Sequence, residues 1–172
     1  MSVTEAVRAP EKALLEWLAT HGVDYELTEH PVTITARETA RVEGIDPRRF
    51  AKTLGVETAD GRRALVVVEA TEKLDLVRAR RVLDAGDVRL LTEDELVQLA
   101  PDCEPGTIPP VGELFGVPVY ADFSLREDSE ITFHAGSHRF TATVEREAWE
   151  KATGVAYAAL AVIAGEPAWA AS

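Results

Sequence analysis

Phe50-Ala51-Lys52-Thr53-Leu54-Gly55-Val56-Glu57-Thr58, then Ala59-Asp60-Gly61-Arg62, then Arg63-Ala64-Leu65-Val66-Val67-Val68-Glu69-Ala70 is the stretch that decides the fold. Asp-Gly between two apolar runs supplies the turn that closes a β-hairpin. Leu65 through Val68 is unbroken, apolar and rich in β-branched side chains. A half-exposed strand would alternate, so this one is expected to be covered on both faces.

Working outward, Pro10 through His21 reads as an amphipathic helix. Proline suits its first turn, Leu14, Leu15 and Leu18 share a face, and Gly22 can end it. Tyr25–Thr28 is a strand candidate, and Thr35–Glu43 a helix stopped by Gly44. Asp46-Pro47 marks a turn. Downstream, Thr71 is expected to cap a helix to Leu83, Val88–Leu91 to form a strand, and Thr92-Glu93-Asp94-Glu95 to open a short helix as a capping box. Pro101–Gly116 is loop. Val117–Asp122, Glu130–Ala135 and Arg139–Glu145 read as strands, with Gly136-Ser137-His138 a turn and Arg146–Thr153 a helix. Val155–Ile163 fits helix and strand alike. Hairpins and meanders with irregularly interspersed helices imply an α/β domain of the α+β type. Its sheet is mixed, mostly antiparallel and surrounded by helices. The length of 172 residues suits one domain spanning 1–172.

Composition excludes several classes. No apolar run approaches the roughly 20 residues that span a bilayer. The start Met1-Ser-Val-Thr-Glu has no apolar h-region, so it does not read as a secretory signal. The lone Cys103 cannot form an internal disulfide or a thiolate zinc site, and a reducing cytoplasm is the default compartment. The net charge of -12 argues against broad binding to polyphosphate, where basic surface dominates affinity. Contact with nucleic acid would be confined to a small end of it. Arg48-Arg49 with Lys52, Arg62-Arg63, and Arg78, Arg80 and Arg81 read, taken alone, as solvated faces.

No Gly-x-Ser-x-Gly elbow, P-loop, Gly-x-Gly-x-x-Gly or His-Glu-x-x-His motif is present. His134 and His138 straddle a predicted turn, so they do not share a helix face. Ser137 and His138 are neighbours that point apart on a strand, which argues against a triad. Cys103 reads as a small buried thiol with no base in sight. Two features remain. Lys52 falls between Phe50 and Leu54 on one strand face. That is either a functional break in patterning or an edge lysine that snorkels. Pro105-Gly106-Thr107-Ile108-Pro109-Pro110 is either a rigid surface turn or a stiffened loop. In the second case the backbone can approach a ligand and present N–H groups to an oxyanion or a water.

Ala51-Lys52-Thr53-Leu54, Lys73-Leu74-Asp75-Leu76, Gly106-Thr107-Ile108-Pro109-Pro110 and Ala135-Gly136-Ser137-His138 occur in that order. The succession resembles the YbaK family, which includes the editing insertion of bacterial prolyl-tRNA synthetases and its freestanding relatives. The likeness runs from about His30 to Glu145. It implies a trans-editing hydrolase that deacylates mischarged aminoacyl-tRNA, a tRNA-Pro or related tRNA carrying a small amino acid. It implies no metal and no cofactor. The partner would be the tRNA acceptor end, and an aminoacyl-tRNA synthetase a second one. Lys52 would hold the 3′-terminal nucleotide or the ester, and the Gly106–Pro110 backbone would enclose the amino acid and position water. The terminal ribose hydroxyl would assist the attack. His30, Thr53, Thr107, Ile108, Pro109, Gly136, Ser137 and His138 would line the substrate. Lys73 and Asp75 read as the start of a helix. A noncatalytic module binding a nucleotide or tRNA end in the same pocket, and hydrolysis of a small ester unrelated to tRNA, stay open.

Overall fold

The computed structural model describes residues 9–33 and 35–163. In chain order the elements are α1 (Lys12–Thr20), β1 (Tyr25–Glu29), α2 (Ala36–Glu43), β2 (Ala51–Thr58), β3 (Arg63–Glu69), β4 (Glu72–Leu74), α3 (Leu76–Val82), β5 (Val88–Leu90), α4 (Glu93–Leu99), β6 (Val119–Asp122), β7 (Glu130–Ser137), β8 (Phe140–Glu145), α5 (Arg146–Thr153), β9 (Ala156–Ala158) and β10 (Ala161–Ile163). Short 3-10 turns occupy Pro47–Arg49, Gly112–Phe115 and Phe123–Glu127.

The hairpin forms as its residues dictate. β2 and β3 pair antiparallel, Lys52 opposite Val68 and Leu54 opposite Val66. Gly61 takes φ 87° in the turn, where a side chain would be strained. β3 lies in the middle of a five-stranded sheet of order β5-β2-β3-β6-β9, and Leu65, Val66, Val67 and Val68 are fully buried. β1, β8 and β7 form a second, antiparallel sheet, and β10 pairs with β4. Among the strand pairings of the described residues, β3–β6 and β6–β9 are parallel and the others antiparallel, so the fold is mixed and mostly antiparallel.

Alternate residues of the hairpin feed two cores. Leu65, Val67 and Ala51 join Leu14 and Leu18 of α1, Trp149 of α5 and Phe133 of β7. Val66, Val68 and Val56 face the other way, onto Ala79 of α3, Leu74 and Leu160. Each such side chain contributes about 1.5–3 kcal/mol on burial, which holds β3 in register against a one-residue slip that would exchange its two faces. An isolated parallel bridge from Phe50 to Thr132 ties β2 to β7. Phe50 is buried there with Ala40 of α2 and Ala70. α2 is capped by the Thr35 side chain, which accepts from the Glu38 N–H at 3.0 Å, and ends at Gly44 with φ 70°.

Three local expectations are corrected. Residues 71–83 are not one helix. Glu72–Leu74 is a strand paired with β10, and Asp75 caps α3 by accepting from the Val77 N–H at 2.9 Å. Lys73 is therefore a strand residue, and only Asp75 starts a helix. The partner strand lies almost ninety positions away, so no local signal announces it. β7 continues through Gly136 and Ser137, with a register irregularity between His134 and Ser137, and the turn is His138-Arg139. Val155–Ile163 divides into two short strands, β9 and β10. Among the described residues, no helix is long and apolar enough to cross a membrane.

Candidate active site

The glycine–proline loop opens with a tight turn. The Thr107 N–H donates to the Glu104 carbonyl at 3.1 Å, and Gly106 takes φ 83°. Proline second and glycine third in such a turn is the type II pattern. The Thr107 hydroxyl donates to the same carbonyl at 2.6 Å. Gly106 is exposed, and among the described residues its N–H donates to no protein group. Thr107 through Pro110 are buried. Ile108 packs into the larger core, and the Pro110 carbonyl accepts from the indole N–H of Trp149 at 2.9 Å. The loop is thus anchored from below and presents Gly106 at its tip.

β7 clamps that turn. The Gly136 N–H donates to the Thr107 carbonyl at 3.0 Å, and the Gly136 carbonyl accepts from the Glu104 N–H at 3.0 Å. Gly136 is required here for space as well as for its φ of 83°, because a Cβ would stand 2.7 Å from Cβ of Glu11. Ser137 is fully buried, its Oγ accepting from the Arg139 N–H at 3.1 Å. His138 turns back over the loop, its Nε2 3.2 Å from the Pro105 carbonyl. A carbonyl only accepts, so Nε2 is the donor, and in the neutral ring Nδ1 holds the lone pair. Among the described residues that buried Nδ1 has no hydrogen-bond partner.

A file of rings leads from the loop towards Lys52. The His138 and His134 ring centroids are 5.7 Å apart, and His134 meets Phe50 edge-on at 5.2 Å. His134 is held by Thr39 of α2, whose Oγ1 lies 3.0 Å from Nε2. Thr39 donates its own proton to the Thr35 carbonyl, so His134 is the donor to Thr39. Burial, and then the neighbouring His138 and His30, push the His134 imidazolium down to a pKa of about 3, so the ring is neutral at pH 7. Lys52 is two residues beyond Phe50 on the same strand face, half-buried. Burial lowers the pKa of its ammonium, Glu72 opposes that, and Arg37 of α2 adds to it. Thr53 points to the opposite face, and its buried Oγ1 has no hydrogen-bond partner among the described residues. Neither His134 nor the flanking Thr39, Arg37 and Glu72 was singled out by sequence. Only the crossing of β2, β7 and α2 brings them together.

His30 also stands beside His134, their ring centroids 6.5 Å apart. Its Nδ1 donates to the Pro31 carbonyl at 2.6 Å, which leaves Nε2 facing Oε2 of Glu43 at 3.2 Å in poor hydrogen-bond alignment. Burial raises the pKa of Glu43 while Thr141 donates to both its oxygens. A cavity of about 650 Å³ is bounded by His30, Glu43, Asp46, Arg49 and Thr132 among others; Lys52 and the glycine–proline loop do not line it. Cys103 is buried beside Gly136, and burial pushes its thiol up to about 12, which removes it as a thiolate nucleophile. Among the described residues no cluster of three or more His, Cys, Asp or Glu could hold a metal ion.

The arrangement offers a half-buried ammonium, an exposed backbone N–H on a braced turn, and an imidazole lone pair. None of the three is an activated nucleophile, and each is a group that can bind or polarise a polar ligand. Known structures share the architecture. The crystal structure of a candidate trans-editing enzyme for prolyl tRNA synthetase superposes with a TM-score of 0.75 at 27% identity, covering 86% of this chain and 93% of that one. The hypothetical protein APE2540 superposes at 0.81 with 22% identity, over 88% of this chain and 100% of that one, a likeness in fold. A candidate signal transduction protein from Marinobacter aquaeolei VT8 contains the same fold within a longer chain, with a TM-score of 0.70, 16% identity, and 90% and 31% coverage. Comparison with curated proteins returns no match. Residues 30–152 match the aminoacyl-tRNA editing domain, and over that span, the greater part of its length, the chain belongs to this family.

Proposed function

We propose that the protein is a cytoplasmic trans-editing deacylase, one domain acting without metal or cofactor on mischarged aminoacyl-tRNA, with tRNA-Pro carrying a small amino acid as the first substrate to test. The observation that carries this reading is the file Phe50–His134–His138–Gly106. Its contacts run from Phe50, two residues before the lysine, to the tip of the glycine–proline loop, and they support this reading.

In this reading Lys52 holds the 3′-terminal phosphate or ester. The Gly106 N–H faces the carbonyl oxygen that becomes an oxyanion. A water adds to the carbonyl carbon, guided by the terminal ribose hydroxyl. The bond to the ribose 3′ oxygen breaks, that oxygen takes a proton, and free amino acid and tRNA leave. The ester is already activated, so positioning is enough. His138 Nδ1 is an acceptor for the water or the amino group. Thr107, Ile108, Pro109, Pro110, Gly136 and Ser137 shape the site from beneath, His30 flanks it beside His134, and Thr53 points to the opposite face of β2.

A panel of mischarged tRNAs incubated with the purified protein tests this. Release of amino acid from at least one, abolished in Lys52→Ala, is expected; no release from any overturns it. The net charge of -12 favours the second reading, a noncatalytic module. That reading requires saturable binding of uncharged tRNA or nucleotide with no turnover on any charged tRNA.

A further inference from the structure

α3 carries Arg78, Arg80 and Arg81 and no acidic residue, on a chain whose net charge is -12. Arg78 is tied down: it donates to the Ala161 carbonyl at 2.8 Å and lies 3.6 Å from Asp75. Arg80 and Arg81 are exposed, and among the described residues neither has a carboxylate within ion-pair distance. Acidic groups do stand near. Asp84 lines one hollow of about 280 Å³ together with Val77, Arg80 and Arg81. A second hollow, of about 530 Å³, is bounded by Arg78, Arg81, Val82 and Ala159. Arg81 is the ridge between the two.

The side of the sheet matters most. Lys52, Leu54 and Val56 project from one face of β2. Leu54 and Val56 pack there with Val66, Val68 and Ala79 of α3. α3 therefore covers the face from which Lys52 emerges. Glu72, close enough to act on Lys52, belongs to β4, directly before α3.

We propose that the outer face of α3, through Arg80 and Arg81, docks the phosphates of the double-stranded stem that adjoins the 3′ end held at Lys52. This rests on the deacylase reading for the 3′ end, and it adds a second foothold. One half-buried cation in the site, Lys52, holds a single-stranded end only weakly. Two exposed arginines on the same face give the backbone contact that positions a duplex without reading its sequence. It also resolves the charge problem: an acidic surface elsewhere repels RNA and leaves one permitted approach.

The test is direct binding of an uncharged RNA hairpin with a short stem and a 3′ CCA overhang, compared with the single-stranded overhang alone. Arg80→Glu/Arg81→Glu is expected to weaken the hairpin at least ten-fold and to leave the single strand within two-fold. The neutral Arg80→Gln/Arg81→Gln is expected to lower the slope of log affinity against log salt by about 1–2. Both residues are exposed, so unchanged thermal melting checks the fold. Equal affinity of wild type and variants for the hairpin, an equal loss on both probes, or no hairpin binding by the wild type would overturn the docking face. Hairpin binding lost in the variants with no deacylation by the wild type leaves the docking face standing and removes the deacylase reading.

Discussion

His138 lies over Gly106: its Cε1 is 3.9 Å from where a glycine Cβ would stand, while its Nε2 is 3.2 Å from the carbonyl of Pro105. A residue from the end of β7 thereby covers a turn more than thirty positions earlier. The contact leaves room for a side chain at Gly106, so the loop needs a glycine at its tip for its φ of 83° and not for space. It also separates two glycines with the same φ. Gly106→Ala meets only an imidazole edge at ordinary distance, and costs about 1 kcal/mol of backbone strain. Gly136→Ala adds a clash at 2.7 Å with Glu11 and a tight approach to Cys103 at 3.4 Å. Denaturant unfolding is expected to rank Gly136→Ala as the more destabilising by at least 1 kcal/mol. The reverse order would mean that the β7 clamp yields.

Lys52 supplies charge to the site at a cost to the fold. Burial already lowers its pKa. Lys52→Met keeps the stem and removes the ammonium, so stability is expected to be equal or higher, while deacylation falls about 100-fold, the loss of one charge-assisted contact. Paired melting and deacylation measurements check this. A fall in melting temperature accompanying the loss of activity would make the lysine structural.

Trp149 braces the loop from below through the 2.9 Å bond to the Pro110 carbonyl. Trp149→Phe leaves that buried carbonyl unpaired, at about 1–3 kcal/mol. The expected signature is lower stability together with a lower kcat. Unchanged kcat at full folding would show that loop position does not limit turnover.

Glu69, at the end of β3, provides a pH test. Burial, then repulsion from Glu72, Asp128 and Asp122, push its carboxyl from 4.5 up to about 7. The folded state thus holds a proton that the unfolded state has released between those values. Stability from this group is present below about 4.5 and is lost as pH rises through 7. Glu69→Gln is expected to stabilise at pH 8 by an amount on the order of 1–3 kcal/mol, and to do little at pH 4. Equal effects at both pH values would refute the shift.

His134 has the opposite sign. Its folded pKa of about 3 lies below the ordinary 6.5, so the folded state binds fewer protons between those values. Its contribution is present above about 6.5 and is lost as pH falls towards 3. His134→Gln keeps a donor for Thr39 and removes the titration. The variant is expected to lose less stability than wild type between pH 7 and pH 4, read from chemical denaturation at each pH.

Period and turn chemistry carried the hairpin, the helix stop at Gly44 and the capping box at Thr92, because those signals act within a few residues. The order of short motifs carried the family. The same local view mistook residues 71–83 for one helix, since the pairing of β4 with β10 is decided by a strand far along the chain. It also discounted His134. Nothing near that histidine reveals that α2 will supply Thr39, or that β2 will set Phe50 against its ring. Sequence alone determined the central hairpin and that Lys52 interrupts an apolar face. Only the tertiary structure decided what that lysine faces, because Glu72 of β4 and Arg37 of α2 become its neighbours only in the folded chain, through contacts whose free energy exists nowhere else.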